Sequence, residues 1–207
     1  FMITQGVFTT VYVSTLSIAI AFVLALLGAT ARLSSNGFAI AIASFYTSFF
    51  RGVPLLIQIY LIYLGIPQLG YVVGAVPAGI LALSLCYGAY MTEIFRAGIS
   101  SIPRGQWEAS RAIGLTPFQA MTRVILPQSM RLIIPPTGNQ FISMLKDSSL
   151  VSVIGVWELM FLARTQGRAE FRHLEMLITA AVLYWVLSIL LEAVQSRLEK
   201  RFDRAHR

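Results

Sequence analysis

Only Arg32 and Arg51 interrupt the first 92 residues with charge, and the stretches 1–31 and 52–92 carry none. A helix needs about 20 apolar residues to cross a bilayer, so charge-free runs of this length dominate what the chain can fold into. Over all 207 residues the charged share is 12% and the hydrophobic share 57%. Soluble domains carry about 25% charged residues; too little polar surface remains here to cover a globule in water. Disorder requires low hydrophobicity with high net charge and is excluded by the same figures. A single cysteine, Cys86, leaves neither a disulfide framework within the chain nor a cysteine-based zinc cage. The sequence describes an all-α integral membrane protein.

Five spans are expected, at about 7–31, 37–64, 78–95, 132–157 and 174–192, in one transmembrane domain covering 1–207. The second is interrupted by Arg51 and the fourth by Lys146 and Asp147, while Gly65, Pro67, Gly70, Gly74 and Pro77 supply the turn before the third. The net charge of +7 is strung between apolar runs, which fits topology signals and not nucleic-acid binding. Eleven Arg and Lys fall in the first loop, in a long loop at about 98–130 with its flanking Arg96 and Arg131, and in the tail, against three in the 158–173 loop. The positive-inside rule then places the N-terminus outside and the C-terminus in the cytoplasm. Phe1 and Met2 do not look like a native start, so N-terminal sequence is expected to be missing.

The long loop carries its own signals. Gln106 to Ile113 is helix-permissive, and Gly114 follows where a left-handed residue is wanted. Thr116-Pro117-Phe118-Gln119 reads as a capping box with Pro at the first helical position, and Leu126-Pro127 is expected to close that second helix. Trp107, Ile113, Phe118, Met121 and Ile125 give this hairpin more apolar surface than an idle loop needs. It either packs on the bundle's cytoplasmic end or inserts into a partner.

Glu108-Ala109-Ser110, Gly114 and Val124-Ile125-Leu126-Pro127 keep the spacing of the EAA loop of ABC-importer permeases, with Ser110 for the second Ala and Val124 for Ile. Arg51-Gly52-Val53-Pro54-Leu55-Leu56, Gly88 to Arg96 and Leu145 to Leu150 resemble the polar-amino-acid permeases of the bacterial inner membrane, the histidine, glutamine, arginine and cystine type. The likeness runs from about Gly6 to Arg201. It implies a multi-pass permease subunit of an amino-acid importer, paired with a second permease, identical or paralogous. It also implies two ATPase subunits that hold ATP and Mg and bind the EAA loops, and an extracytoplasmic amino-acid-binding protein. By the same likeness Glu108, Ala109, Ser110, Gly114, Val124, Leu126 and Pro127 form the coupling element.

The residues themselves agree on the division of labour. No Gly-x4-Gly-Lys-Ser/Thr phosphate loop occurs, so ATP chemistry belongs to a partner and the chain is not expected to be an enzyme. No His-Glu-x-x-His is present, and no metal site is expected. Charges inside spans are costly and mark functional candidates. Arg51 and Lys146 each sit about 21 Å along a span, and Gly52 and Pro54 can break the helix beside Arg51. Two roles stay open for Arg51, Glu93, Lys146 and Asp147. A zwitterionic amino acid needs a cation for its carboxylate and an acceptor for its amine. Alternatively Arg51 pairs with Asp147 or Glu93, and Lys146 with Asp147, only to tie helices together. Glu93 and Arg96 are spaced for a local i,i+3 pair. Tyr87, Tyr90 and Gln58 line a polar path or simply pack. Glu158 and the Arg164–Arg172 group are expected in a solvated outer loop, and the basic tail from Arg197 at the lipid headgroups. The rival reading is a secondary transporter or channel working without ATPases, which leaves the organised 101–128 loop unexplained.

Overall fold

The computed structural model describes residues 2–204, and no strand occurs among them. Nine α-helices are found among these residues: α1 (Val7–Leu33), α2 (Gly37–Gly52), α3 (Leu55–Tyr60), α4 (Ala75–Ser100), α5 (Arg104–Ala112), α6 (Pro117–Ala120), α7 (Leu126–Asp147), α8 (Leu159–Ala169) and α9 (His173–Arg204). Short π or 3₁₀ turns join several of them.

Side-chain contacts set the directions of the long helices. Ser17 meets Ile80, and Gly28 meets Thr92, so α1 and α4 run parallel. Gly98 packs on Ile133 and Gly79 on Val151, so α7 runs against α4. Gln195 reaches Pro135 and Tyr184 reaches Glu158, so α9 runs against α7. The start of α1 and the end of α9 therefore lie at opposite ends of the bundle.

Close approach of α1 to α4 depends on small residues, as expected where lipid gives no hydrophobic drive between helices. Ser17, Ala21, Ala25 and Gly28 of α1 and Ala82, Ser84, Gly88 and Ala89 of α4 are all buried. A Cβ at Gly28 would stand 2.4 Å from Thr92 Oγ1, so even alanine would push the helices apart. The bundle's outer faces expose Leu27, Phe45 and Trp185, the inverse of a soluble surface.

Several expected boundaries move. The stretch 37–64 is not one straight helix: α2 and the segment Leu55–Leu69 meet at 107°. Pro54 is the cause, because its missing N–H and its effect on Val53 end α2 there. The helix expected at 78–95 extends to Ala75–Ser100. Glu93 and Arg96 do not end it, since they are paired. The fourth expected stretch begins earlier and finishes sooner as α-helix, at Leu126–Asp147, then tightens into a 3₁₀ segment Ser148–Ile154. Gly155 stops that segment at φ 84°. The last helix runs on to Arg204; Arg207 lies outside the described residues. Among the described residues three helices are long and apolar enough to cross a membrane, or up to five spans if each of two bent pairs counts as one.

Leu126-Pro127 does not close the second hairpin helix. A π turn, Met121–Ile125, carries the chain from α6 straight into α7, with the Leu126 N–H bonded to Met121 O. Proline is tolerated in the first turn that follows, where its absent N–H matters least.

Candidate functional site

The break between α2 and α3 opens a cleft of about 420 Å³, lined by Arg51 to Leu55, by Cys86, Tyr87 and Tyr90 of α4, and by Gln140 and Asp147 of α7. Its local chemistry starts from Pro54. A proline there cannot donate to the carbonyl four residues back, which belongs to Phe50. Gln58 supplies the missing donor: its Nε2 lies 2.9 Å from Phe50 O and 2.8 Å from Val53 O. The Cys86 thiol also donates to Phe50 O, at 3.6 Å. The break is thus stapled from two helices.

Opposite charges stand on two walls of the cleft. The Arg51 guanidinium lies 5.5 Å from the centre of the Tyr90 ring, within cation–π range. Among the described residues it forms no ion pair. Asp147 accepts a 2.7 Å hydrogen bond from the Tyr87 hydroxyl. The ring that meets the cation and the ring whose hydroxyl meets the carboxylate have centroids 6.3 Å apart. Neither Arg51–Asp147 nor Arg51–Glu93 is a tie between helices here, and Lys146 does not neutralise Asp147.

The remaining sequence candidates lie elsewhere. Gln58 is buried with its amide nitrogen on backbone carbonyls, so it holds the cleft's frame and does not line it. Lys146 is exposed and outside the lining. Glu93 takes Arg96 at 2.9 Å, the expected i,i+3 pair, and also Arg32 of α1 at 3.4 Å. Arg32 in turn donates to Ser44 of α2. One carboxylate thereby joins three helices near the end where α1 finishes.

Glu158 corrects the expectation of a solvated loop residue. It is fully buried, caps α8 by accepting from Met160 N at 2.9 Å and Phe161 N at 2.7 Å, and accepts from the Tyr184 hydroxyl of α9. A carboxylate at a helix N-terminus is favoured by the local dipole. Arg164 and Arg168 do lie exposed on α8 as expected. Gln140 was missed as a lining residue, since it closes the polar stretch Thr137-Gly138-Asn139-Gln140 and nothing in that stretch singles it out.

At the other end of α7, α5 and α6 form a hairpin. Thr116 Oγ1 accepts from Gln119 N at 3.3 Å and Gln119 Oε1 accepts from Thr116 N at 2.9 Å, the reciprocal capping box that the sequence predicts. Gly114 has φ 80°, the left-handed value expected of it. Ser110 is buried and returns a hydrogen bond to Gln106 O at 2.7 Å, while Leu115 N closes on Ser110 O at 3.1 Å. Serine thus keeps the small volume needed at that packing point. Glu108 and Ala109 are exposed, and Glu108 forms no ion pair with Arg104 or Arg111. Val124 and Pro127 are half-buried, and Leu126 is partly exposed. Ile113 and Phe118 expose 75% and 76% of their surface at the tip, too much apolar area for a free polar loop.

Residues 17–204 match the family described as the binding-protein-dependent transport system inner membrane component. The chain is 40% identical over 204 residues to the L-cystine transport system permease protein TcyB of Bacillus subtilis (strain 168), covering 98% of this chain and 87% of that protein. It is 37% identical to the arginine transport system permease protein ArtQ of the same organism, over 96% of this chain and 91% of that one. Among solved structures, one described as an amino acid ABC transporter with histidines superposes with a TM-score of 0.91 at 38% identity, over 97% and 94% of the two chains. Nothing in these likenesses supports the rival reading of a secondary transporter or channel. The chain belongs to the family of inner membrane components of binding-protein-dependent transport systems, as a permease of the amino-acid ABC-importer type.

Proposed function

We propose that this permease carries a polar amino acid through the cleft between α2, α4 and α7. The supporting observation is the pair of Arg51 and Asp147, unpaired with each other across one cavity. Arg51 receives the carboxylate, and Asp147, held by Tyr87, receives the ammonium. Tyr90 shares the guanidinium face and leaves with the substrate's arrival or departure. Five crossings, with the two bent pairs each counted as one, leave the start of α1 and the end of α9 on opposite sides, and the arginine and lysine distribution assigns the α9 end to the cytoplasm.

The α5–α6 hairpin is the coupling element. Its exposed Ile113 and Phe118 enter an ATPase subunit, Glu108 docks at the rim, and Gly114 sets the bend. Ala109, Ser110, Val124, Leu126 and Pro127 hold the shape behind that surface. Two ATPases bind ATP and Mg, a second permease, identical or paralogous, completes the pathway, and a soluble amino-acid-binding protein delivers substrate outside.

The test is uptake of labelled amino acids by proteoliposomes holding the permeases and ATPases, with the binding protein outside. ATP-dependent accumulation of a polar amino acid, lost on Arg51→Ala, supports the assignment. Accumulation without ATP, or uptake indifferent to Arg51, overturns it.

A further inference from the structure

A second cleft, of about 480 Å³, is bounded by α3, the Ser148–Ile154 segment and α8. Arg164 and Arg168 stand one turn apart on its α8 wall, and the Tyr60, Ser152 and Thr165 hydroxyls share it. Two like charges at i,i+4 repel on a helix surface, and among the described residues neither guanidinium has a carboxylate within salt-bridge distance. Of the acids on this stretch, Glu158 caps α8 and Glu175 pairs with Arg172, while Glu170, exposed at the end of α8, lies beyond salt-bridge distance of both arginines. Arg168 is suited to the last turn of α8 by the helix dipole, but Arg164 is not. The platform is rigid, because Leu159, Leu162, Ala163 and Gly167 bury the opposite face of the helix.

The cleft lies at the end of α7 opposite the α5–α6 hairpin, since α7 leads from Leu126 beside the hairpin to Asp147 beside the Ser148–Ile154 segment. If the hairpin meets cytoplasmic ATPases, this cleft faces the other compartment. Its walls are open: Tyr60 is 39% and Val153 37% exposed. An open bowl cannot desolvate a small free acid well, whereas acidic side chains protruding from a protein gain from many contacts around them. We propose that this cleft seats acidic side chains of the soluble amino-acid-binding protein, with Arg164 and Arg168 as the paired carboxylate receptors. The inference rests on the importer reading given above. It adds a link to the pathway, because α3 has Leu55 in the transport cleft and Tyr60 in this one.

The experiment uses the whole complex in vesicles and measures ATP hydrolysis against the concentration of substrate-loaded binding protein from the same transport system. Arg164→Glu with Arg168→Glu should raise the half-stimulating concentration at least tenfold while the saturated rate is retained. Arg164→Gln with Arg168→Gln should raise it less and flatten its dependence on salt. Reversing an acidic pair on the binding protein should restore the charge-reversed permease. An unchanged half-stimulating concentration in both variants overturns the docking proposal while leaving the importer reading intact. No stimulation of the wild-type complex overturns the importer reading and the docking proposal with it. A defect seen only in anionic vesicles and absent from neutral ones makes the arginines headgroup anchors, and that also overturns it.

Discussion

Gln58 Nε2 sits 2.9 Å from the Phe50 carbonyl, the acceptor that Pro54 leaves without its helical N–H. One side chain thus repairs the break that opens the cleft between α2, α4 and α7. Gln58→Leu keeps similar volume but removes both hydrogen bonds, leaving Phe50 O with the weak thiol contact of Cys86 and Val53 O without its side-chain donor. A typical hydrogen bond contributes about 0.5–1.5 kcal/mol. The substitution should lower the thermal midpoint of the purified permease by several degrees and reduce uptake with it. A variant that loses uptake alone would instead move Gln58 into the substrate's path.

Arg51 divides stability from transport in the opposite sense. Its only described aromatic contact, with Tyr90, is worth about 0.5–1 kcal/mol at an exposed site. A broken buried ion pair would cost about 3–5 kcal/mol, but no such pair exists here. Arg51→Ala should therefore change the melting temperature little and abolish amino-acid uptake. Equal loss of both would return Arg51 to a structural role.

At Gly114 a Cβ would meet no atom within 4 Å, so the backbone alone resists substitution. The left-handed conformation costs a non-glycine residue about 1–2 kcal/mol. Gly114→Val should misshape the hairpin and weaken capture of the ATPase, while Gly114→Asn, which tolerates that conformation, should bind nearly as wild type. Glu108→Lys should fold normally, since it breaks no ion pair, and should lower ATPase retention in a pull-down.

Orientation is open to chemical labelling because the chain's one cysteine, Cys86, is buried. Gln68→Cys should react with an impermeant thiol reagent added outside intact cells. Arg111→Cys, exposed beside the hairpin bend, should react only after the membrane is opened. The reverse pattern would invert the assignment drawn from the arginine distribution.

What could be read from the sequence was local. Gly114 and the Thr116–Gln119 box announce themselves because a glycine's freedom and an i,i+3 pair of caps are decided within one turn. The Glu93–Arg96 pair follows the same logic, but its third member, Arg32, is 61 positions from Glu93 and gave no sign. Glu158 was misplaced for that reason: its burial depends on Tyr184, 26 residues on, closing over it. For Gln58 a path-lining and a packing role both stayed open, because a polar group in an apolar run fits either. Its true partners became visible only once Pro54 folded the chain back upon them.

The π turn at Met121–Ile125 has a mechanical consequence. Because it joins α6 to α7 without a loop, the backbone is helical from Pro117 to Asp147, about 45 Å at 1.5 Å per residue. Under the coupling role proposed for the hairpin, a push there passes along this rod toward Asp147 at its far end. Pro127 removes a rung from its ladder near the foot, and Pro135 and Pro136 remove two more at the middle. The rod is therefore stiff between these points and compliant at them, so a thrust at its foot would tilt its head as well as lift it.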